Sequence, residues 1–174
     1  MRKIRFRGKS VYDGELYSGV GVYVTPNIKK EELDKQTGQY VQVLYAQRAY
    51  IYNQFDEKIE VEPETICQYT GYKDIHKNEI YEGDIIKYPT YNGSEFILIG
   101  EVKFGEYKQD GSGGEYSQSI CCGFYVEIKK CIYPDWCDPE DYDDFIQDYE
   151  KQNSIAEIIN DGGNVEVIGN IYEK

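Results

Sequence analysis

VEPETICQYTGYKDIHKNEIYEGDIIKY, Val61 to Tyr88, is the stretch whose reading decides the fold. Gly71, Asp74, Gly83 and Asp84 are turn formers, supplying a positive φ or an acceptor for nearby backbone amides. Tyr69, Ile80, Tyr81 and Ile85 flank those turns and suit packing between strands. Pro63 lacks the amide that a ladder needs, so the short strand expected at Ile59 to Glu62 stops there. Beyond the turn Glu82-Gly83-Asp84, the run Ile85-Ile86-Lys87-Tyr88 reads as the next strand.

The same alternation of turns and β-prone runs extends outward. Lys3 to Lys9 alternates, with Ile4 and Phe6 on one side and Lys3, Arg5, Arg7 and Lys9 on the other. That pattern predicts a strand with a basic outer face, and on an edge strand such cations block unwanted pairing. Asp13-Gly14 signals a hairpin, and Leu16 to Thr25 continues as a strand. Asn27 to Gln36 is expected to form a short charged helix broken at Gly38. Tyr40 to Tyr52 (YVQVLYAQRAYIY) reads as a strand interrupted near Ala46.

Phe96 to Phe104, Gly123 to Lys130 and Val165 to Tyr172 are further strands, with Gln109 to Glu115 a flexible loop. One segment departs from this pattern. Asp138 can cap a helix, Pro139 suits its first position, and Glu140 and Asp141 complement its dipole. Tyr142, Phe145, Ile146 and Tyr149 then form one apolar stripe. The expected architecture is mainly β, a β-rich α+β chain. Its sheets form a small barrel or sandwich, with one well-capped C-terminal amphipathic helix near 139–151. With no internal repeat and no low-complexity linker, residues 1–174 read as a single unit.

Composition narrows the function classes. Asp and Glu number 32 against 19 Lys and Arg, a net charge of −13, which opposes direct binding to nucleic acid phosphates. Mean hydropathy is −0.67, and no apolar run approaches the roughly 18 residues of a membrane span. Hydrophobic residues at 40% and aromatics at 15% exclude a natively disordered chain. The start, MRKIRFRGKS, is basic without the apolar centre of a secretory signal, so a cytoplasmic location is expected. Nineteen tyrosines against the single Trp136 favour half-buried sheet surfaces and interfaces.

Catalytic constellations are thin. Cys67, Cys121, Cys122, Cys131 and Cys137 are odd in number, with two adjacent, and read as reduced thiols. They form no C-x2-C pair, and His76 is the one histidine, so neither a zinc site nor a cofactor is expected. A cysteine nucleophile would need His76 as its base, yet His76 lies in a charged turn. No G-x-x-x-x-G-K-[ST] cradle exists, and no catalytic, cofactor-binding or metal-binding residue is assigned.

The stretch Cys131 to Glu150 carries eight acids and no Lys or Arg. The simplest reading is a solvated helix face. Alternatives are docking onto a basic surface, such as Lys3 to Lys9 of a second subunit, or imitation of nucleic acid phosphates. Calcium is disfavoured because the run lacks the glycine of an EF-hand turn. The candidate interaction surface is therefore Arg5, Arg7 and Lys9 together with Asp141, Asp144 and Asp148.

Val61 to Tyr88 resembles the YopX family of phage and prophage proteins. That family carries a pattern close to V-x-P-E-T-V-x-Q-Y-T-G-L-K-D-x-N-G-K-x-I-Y-E-G-D-I-V. The matching positions include Pro63, Glu64, Thr65, Gln68, Tyr69, Thr70, Gly71, Lys73, Asp74, Ile80, Tyr81, Glu82, Gly83, Asp84 and Ile85. Phe6-Arg7-Gly8-Lys9, Asp13-Gly14-Glu15 and the run Val167 to Glu173 look similar too. Tyr72 replaces the family's Leu, His76-Lys77 replaces its Asn-Gly, and Leu16 stands where Trp is common. Residues 27–47 look like an insertion, and 109–149 fall where the family varies most.

The resemblance implies a phage- or prophage-encoded protein in the bacterial cytoplasm, mainly β, that assembles with copies of itself. It carries over no catalytic or binding residue. The function expected is a non-enzymatic accessory scaffold with a host or phage protein as partner. The alternative is an acidic decoy that inhibits a host DNA-binding protein.

Overall fold

The structure, a computed structural model, describes residues 3–90, 95–109, 119–138, 152–160 and 162–173. The chain divides into two compact units: Ile4–Gln68, and Tyr69–Lys174 with Met1–Lys3.

In the first unit, β1 (Phe6–Lys9) and β2 (Leu16–Gly19) form a hairpin, with Phe6 opposite Gly19 and Lys9 opposite Leu16. Asp13 fixes its turn, accepting the Glu15 amide at 3.0 Å and the Tyr17 hydroxyl at 2.8 Å. The other side of β1 pairs Phe6 with Gln68 and Arg7 with Cys67. β1 is thus an interior strand, not the edge that its alternating charges suggested. Arg5, Arg7 and Lys9 are half-buried, whereas Ile4, expected to point inward, is exposed.

The expected strand Leu16 to Thr25 is divided between two sheets. β2 ends at Gly19, where an added Cβ would stand 2.2 Å from the Tyr52 carbonyl oxygen; glycine alone permits that approach. Val20 then donates to the same oxygen at 2.8 Å, and β3 (Gly21–Val24) begins a three-stranded sheet with β6 (Ala49–Tyr52) and β7 (Lys58–Val61). β6 runs down its centre, burying Ala49 and Ile51 at alternate positions. With Val61 these make a small core, against which Phe6, Ile59 and Ile66 pack.

Asn27 to Gln36 does not form the expected helix. Ile28–Leu33 is β4, paired along its length with β5 (Tyr40–Tyr45), from Ile28 opposite Tyr45 to Leu33 opposite Tyr40. Lys, Glu and Leu are good helix formers, but so short a helix cannot repay its nucleation. The ladder offered by YVQVLY wins. Asp34 closes the connecting turn, accepting the Gln36 amide at 2.9 Å and the Thr37 hydroxyl at 2.7 Å. This hairpin forms a two-stranded sheet of its own and coincides with the segment that looks inserted.

After β7, the 3₁₀ turn Pro63–Thr65 leads into β8 (Cys67–Lys73), whose first two residues belong to the first unit and the rest to the second. In the second unit β8 pairs with β9 (Glu79–Tyr81), placing Tyr69 opposite Tyr81. The main sheet is antiparallel, built from β10 (Asp84–Pro89), β11 (Ile97–Gln109), β12 (Ser119–Ile132), β13 (Gln152–Ser154) and β14 (Glu166–Asn170). Its order is β13-β12-β11-β10-β14.

Ile80, Ile86, Tyr88, Leu98, Val102, Phe124, Val126, Ile155 and Val165 form the core of this unit. One helix is described, α1 (Ile155–Asn160), which buries Ile155 and packs Ile158 and Ile159 on that core. The predicted helix at 139–151 and most of the predicted loop at 109–115 lie outside the described residues. The fold is mainly β, with curled sheets and a short C-terminal helix.

Candidate functional site

The motif residues of Gly71 to Asp84 form a clamp of turns. Asp74 is buried, and its Oδ1 accepts the amides of His76 at 2.9 Å and Asn78 at 2.8 Å. Its Oδ2 accepts the Asn78 side-chain amide at 3.0 Å and the Val167 amide of β14 at 3.4 Å. Burial pushes this carboxyl upward, but the donors of Asn78, Val167 and His76 together hold it below its ordinary value. Lys77 adopts φ 69°, occupying the left-handed position that Asn-Gly would fill more easily.

Asp84, fully buried, repeats the device. Its Oδ2 accepts the Tyr81 amide at 2.7 Å, and its Oδ1 accepts the Asn170 side-chain amide at 3.0 Å. Between them Gly83, at φ +78°, donates to Val102 at 2.8 Å and accepts from Ile171 at 2.9 Å. Thr70 donates its hydroxyl to the Ile80 carbonyl at 2.8 Å. The Tyr69 and Tyr81 rings lie 5.5 Å apart, and the Tyr81 hydroxyl donates to Glu79 at 2.7 Å. Gln68 and Glu82 are half-buried. The two buried carboxylates, Asp74 and Asp84, are thus both bound to backbone or side-chain amide donors.

Beside the clamp in the same unit lies an open groove of about 550 Å³, lined by Tyr72, Phe104, Tyr107, Cys122, Phe124 and Ser154, among others. Thr70 and Gly71 of the motif also border it. The Phe104 and Phe124 rings meet edge-on at 4.9 Å, and Tyr107 stacks on Tyr125 at 5.4 Å. None of the lining residues is charged. The groove suits an apolar or aromatic group. Its members were missed in the sequence because they come from four separate segments; the one available signal was the aromatics inside the two long strands, Phe104 and Tyr107 in β11 and Phe124 in β12.

Cys122 is exposed at this groove, whereas burial raises the Cys131 thiol. Among the described residues no cluster of three His, Cys, Asp or Glu side chains could hold a metal ion.

The predicted interaction surface is only partly assembled. In the first unit Arg5 borders a hollow of about 320 Å³ with Ser18, Asn53 and Phe55. Asn53 is engaged there in its own turn, taking the Phe55 amide at 2.8 Å and giving its side-chain amide to Glu57 at 2.6 Å. Arg7 and Lys9 follow along β1, and no bare basic stripe results. Asp141, Asp144 and Asp148 lie outside the described residues. This unit instead displays large apolar side chains: Tyr12, Tyr23, Leu33, Tyr40 and Phe55 are each more than half exposed.

The protein family described as YopX protein matches residues 5–174, both units together. Neither the curated proteins nor the solved structures contain a match to this chain.

Proposed function

This chain belongs to the YopX family, and from that premise we propose that it is a phage- or prophage-encoded accessory protein that works by contact. It is a self-associating, non-enzymatic binding module of the bacterial cytoplasm, with a host or phage protein as its partner. The observation that carries this reading is the set of aromatic and aliphatic side chains left open on the first unit, with Tyr12 at 79%, Phe55 at 75% and Tyr40 at 73% exposure. Such a display on a chain of net charge −13 favours association surfaces over solubility alone. The saturated carboxylates of the family motif support the same reading, because they serve the fold.

Size-exclusion chromatography with light scattering tests it. The expected result is an oligomer at micromolar concentration, and a strict monomer overturns self-association. Affinity capture from infected cells identifies the partner. The acidic stretch Cys131 to Glu150 carries the second reading, a decoy for a host DNA-binding protein. Reversing the charge of Asp141, Asp144 and Asp148 abolishes capture if that reading holds and leaves it intact if it fails.

A further inference from the structure

We propose that the outer edge of β4 is the dimer interface: two copies of Ile28–Leu33 pair antiparallel about a two-fold axis, joining two β4–β5 hairpins into one four-stranded ribbon. The proposal rests on the self-association reading above and gives it a place. Three observations carry it.

The first is the open edge. β4 pairs only with β5 among the described residues, so one side of each strand presents backbone donors and acceptors outward. A two-stranded hairpin is marginal in water and gains from added strands.

The second is charge. Residues 27–47 hold Lys29, Lys30 and Lys35 against Glu31, Glu32 and Asp34, so the hairpin is neutral in a chain of net charge −13. Two copies meeting here escape the repulsion that two acidic surfaces would incur. At its tip, Leu33 and Tyr40 stand directly opposite each other, 53% and 73% exposed.

The third is self-complementarity. β4 reads IKKEEL, basic in its first half and acidic in its second. A two-fold axis normal to the ribbon sets the basic half of each strand against the acidic half of its mate, as an isologous contact requires. Such an axis keeps side chains on their own face, so it passes through either Lys30 or Glu31. Centred on Glu31, Lys30 of each copy lies directly opposite Glu32 of the other. Centred on Lys30, Lys30 faces its own mate, and the Glu32 of each copy lies diagonal to the Lys30 of the other and flanks that like pair. Cross-strand pairs at both spacings are within reach of long side chains. The Lys30–Glu32 match is therefore independent of the register chosen.

The test exchanges charge and then restores it. Lys30→Glu and Glu32→Lys, each in the full chain, turn attraction into repulsion at both symmetry-related pairs. Each variant alone is expected to dimerise about 30-fold more weakly by sedimentation velocity, with its circular dichroism unchanged. Mixed in equal amounts, the two variants are expected to recover wild-type association, because every altered pair is again Lys against Glu. If the wild type associates and neither variant changes its dissociation constant, the β4 interface is overturned while self-association stands. If both variants weaken association but the mixture does not restore it, the charge match is overturned. A wild type that remains monomeric removes both readings.

Discussion

Replacing Asp74 by Asn removes one charge and turns one acceptor into a donor while preserving shape. The wild-type carboxylate accepts four hydrogen bonds, three within its own turn and one from Val167 of β14. In the variant the remaining oxygen keeps the amides of His76 and Asn78, as neutral bonds. The new amide faces the Asn78 side chain, which can turn over to accept, and the Val167 N–H, which cannot. The loss is therefore two charge-assisted bonds weakened and one half-buried donor stranded, together roughly 2–3 kcal/mol.

Urea denaturation at pH 7 measures this as a lower midpoint at unchanged slope. Because the Asp74 carboxyl lies below its ordinary 3.8 in the folded protein, its contribution is complete above that value and is lost as pH falls through the folded one. The gap between wild type and Asp74→Asn accordingly narrows in acid. A cost below about 0.5 kcal/mol at pH 7, too small for a stranded donor, or a gap that does not close at low pH, refutes the clamp.

Further outcomes follow from single positions. Gly83→Ala places a Cβ at φ +78°, 3.3 Å from Ile171, and should cost roughly 1–3 kcal/mol by calorimetry. Lys77→Gly relieves a left-handed lysine and should stabilise by about 0.5–1 kcal/mol, less than the strain removed because glycine is freer when unfolded. Ile51→Ala empties the centre of the small core of the first unit, at roughly 3–4 kcal/mol, read as a lower urea midpoint. In native thiol labelling followed by mass spectrometry, Cys122 should react first and Cys67, 2% exposed, only after unfolding.

Much of the fold was legible because strands and turns obey local rules. The break near Ala46, the stop at Pro63 and the Asp13-Gly14 turn all stand where side-chain chemistry placed them. What failed depended on distant partners. IKKEEL has the composition of a helix and becomes a strand through its register with YVQVLY. β1 looks like an edge until Cys67 and Gln68 arrive from sixty or more residues away. Leu16 to Thr25 is divided by a close approach of Tyr52 to Gly19, which no local pattern announces. α1 spans too few residues for its periodicity to register. Of the candidate site, the turn chemistry of Asp74 and Asp84 was readable, whereas the aromatic groove needed four segments brought together.

The reach of Asp84 to Asn170 bears on how the protein is born. Every strand that the first unit pairs is in hand once Gln68 has left the ribosome. The second unit cannot seat β14 on β10, nor seal Asp84, until Asn170 has been made. Nascent chains should therefore mature in two steps, the earlier half protease-resistant while Ile86 and its neighbours still await their last strand.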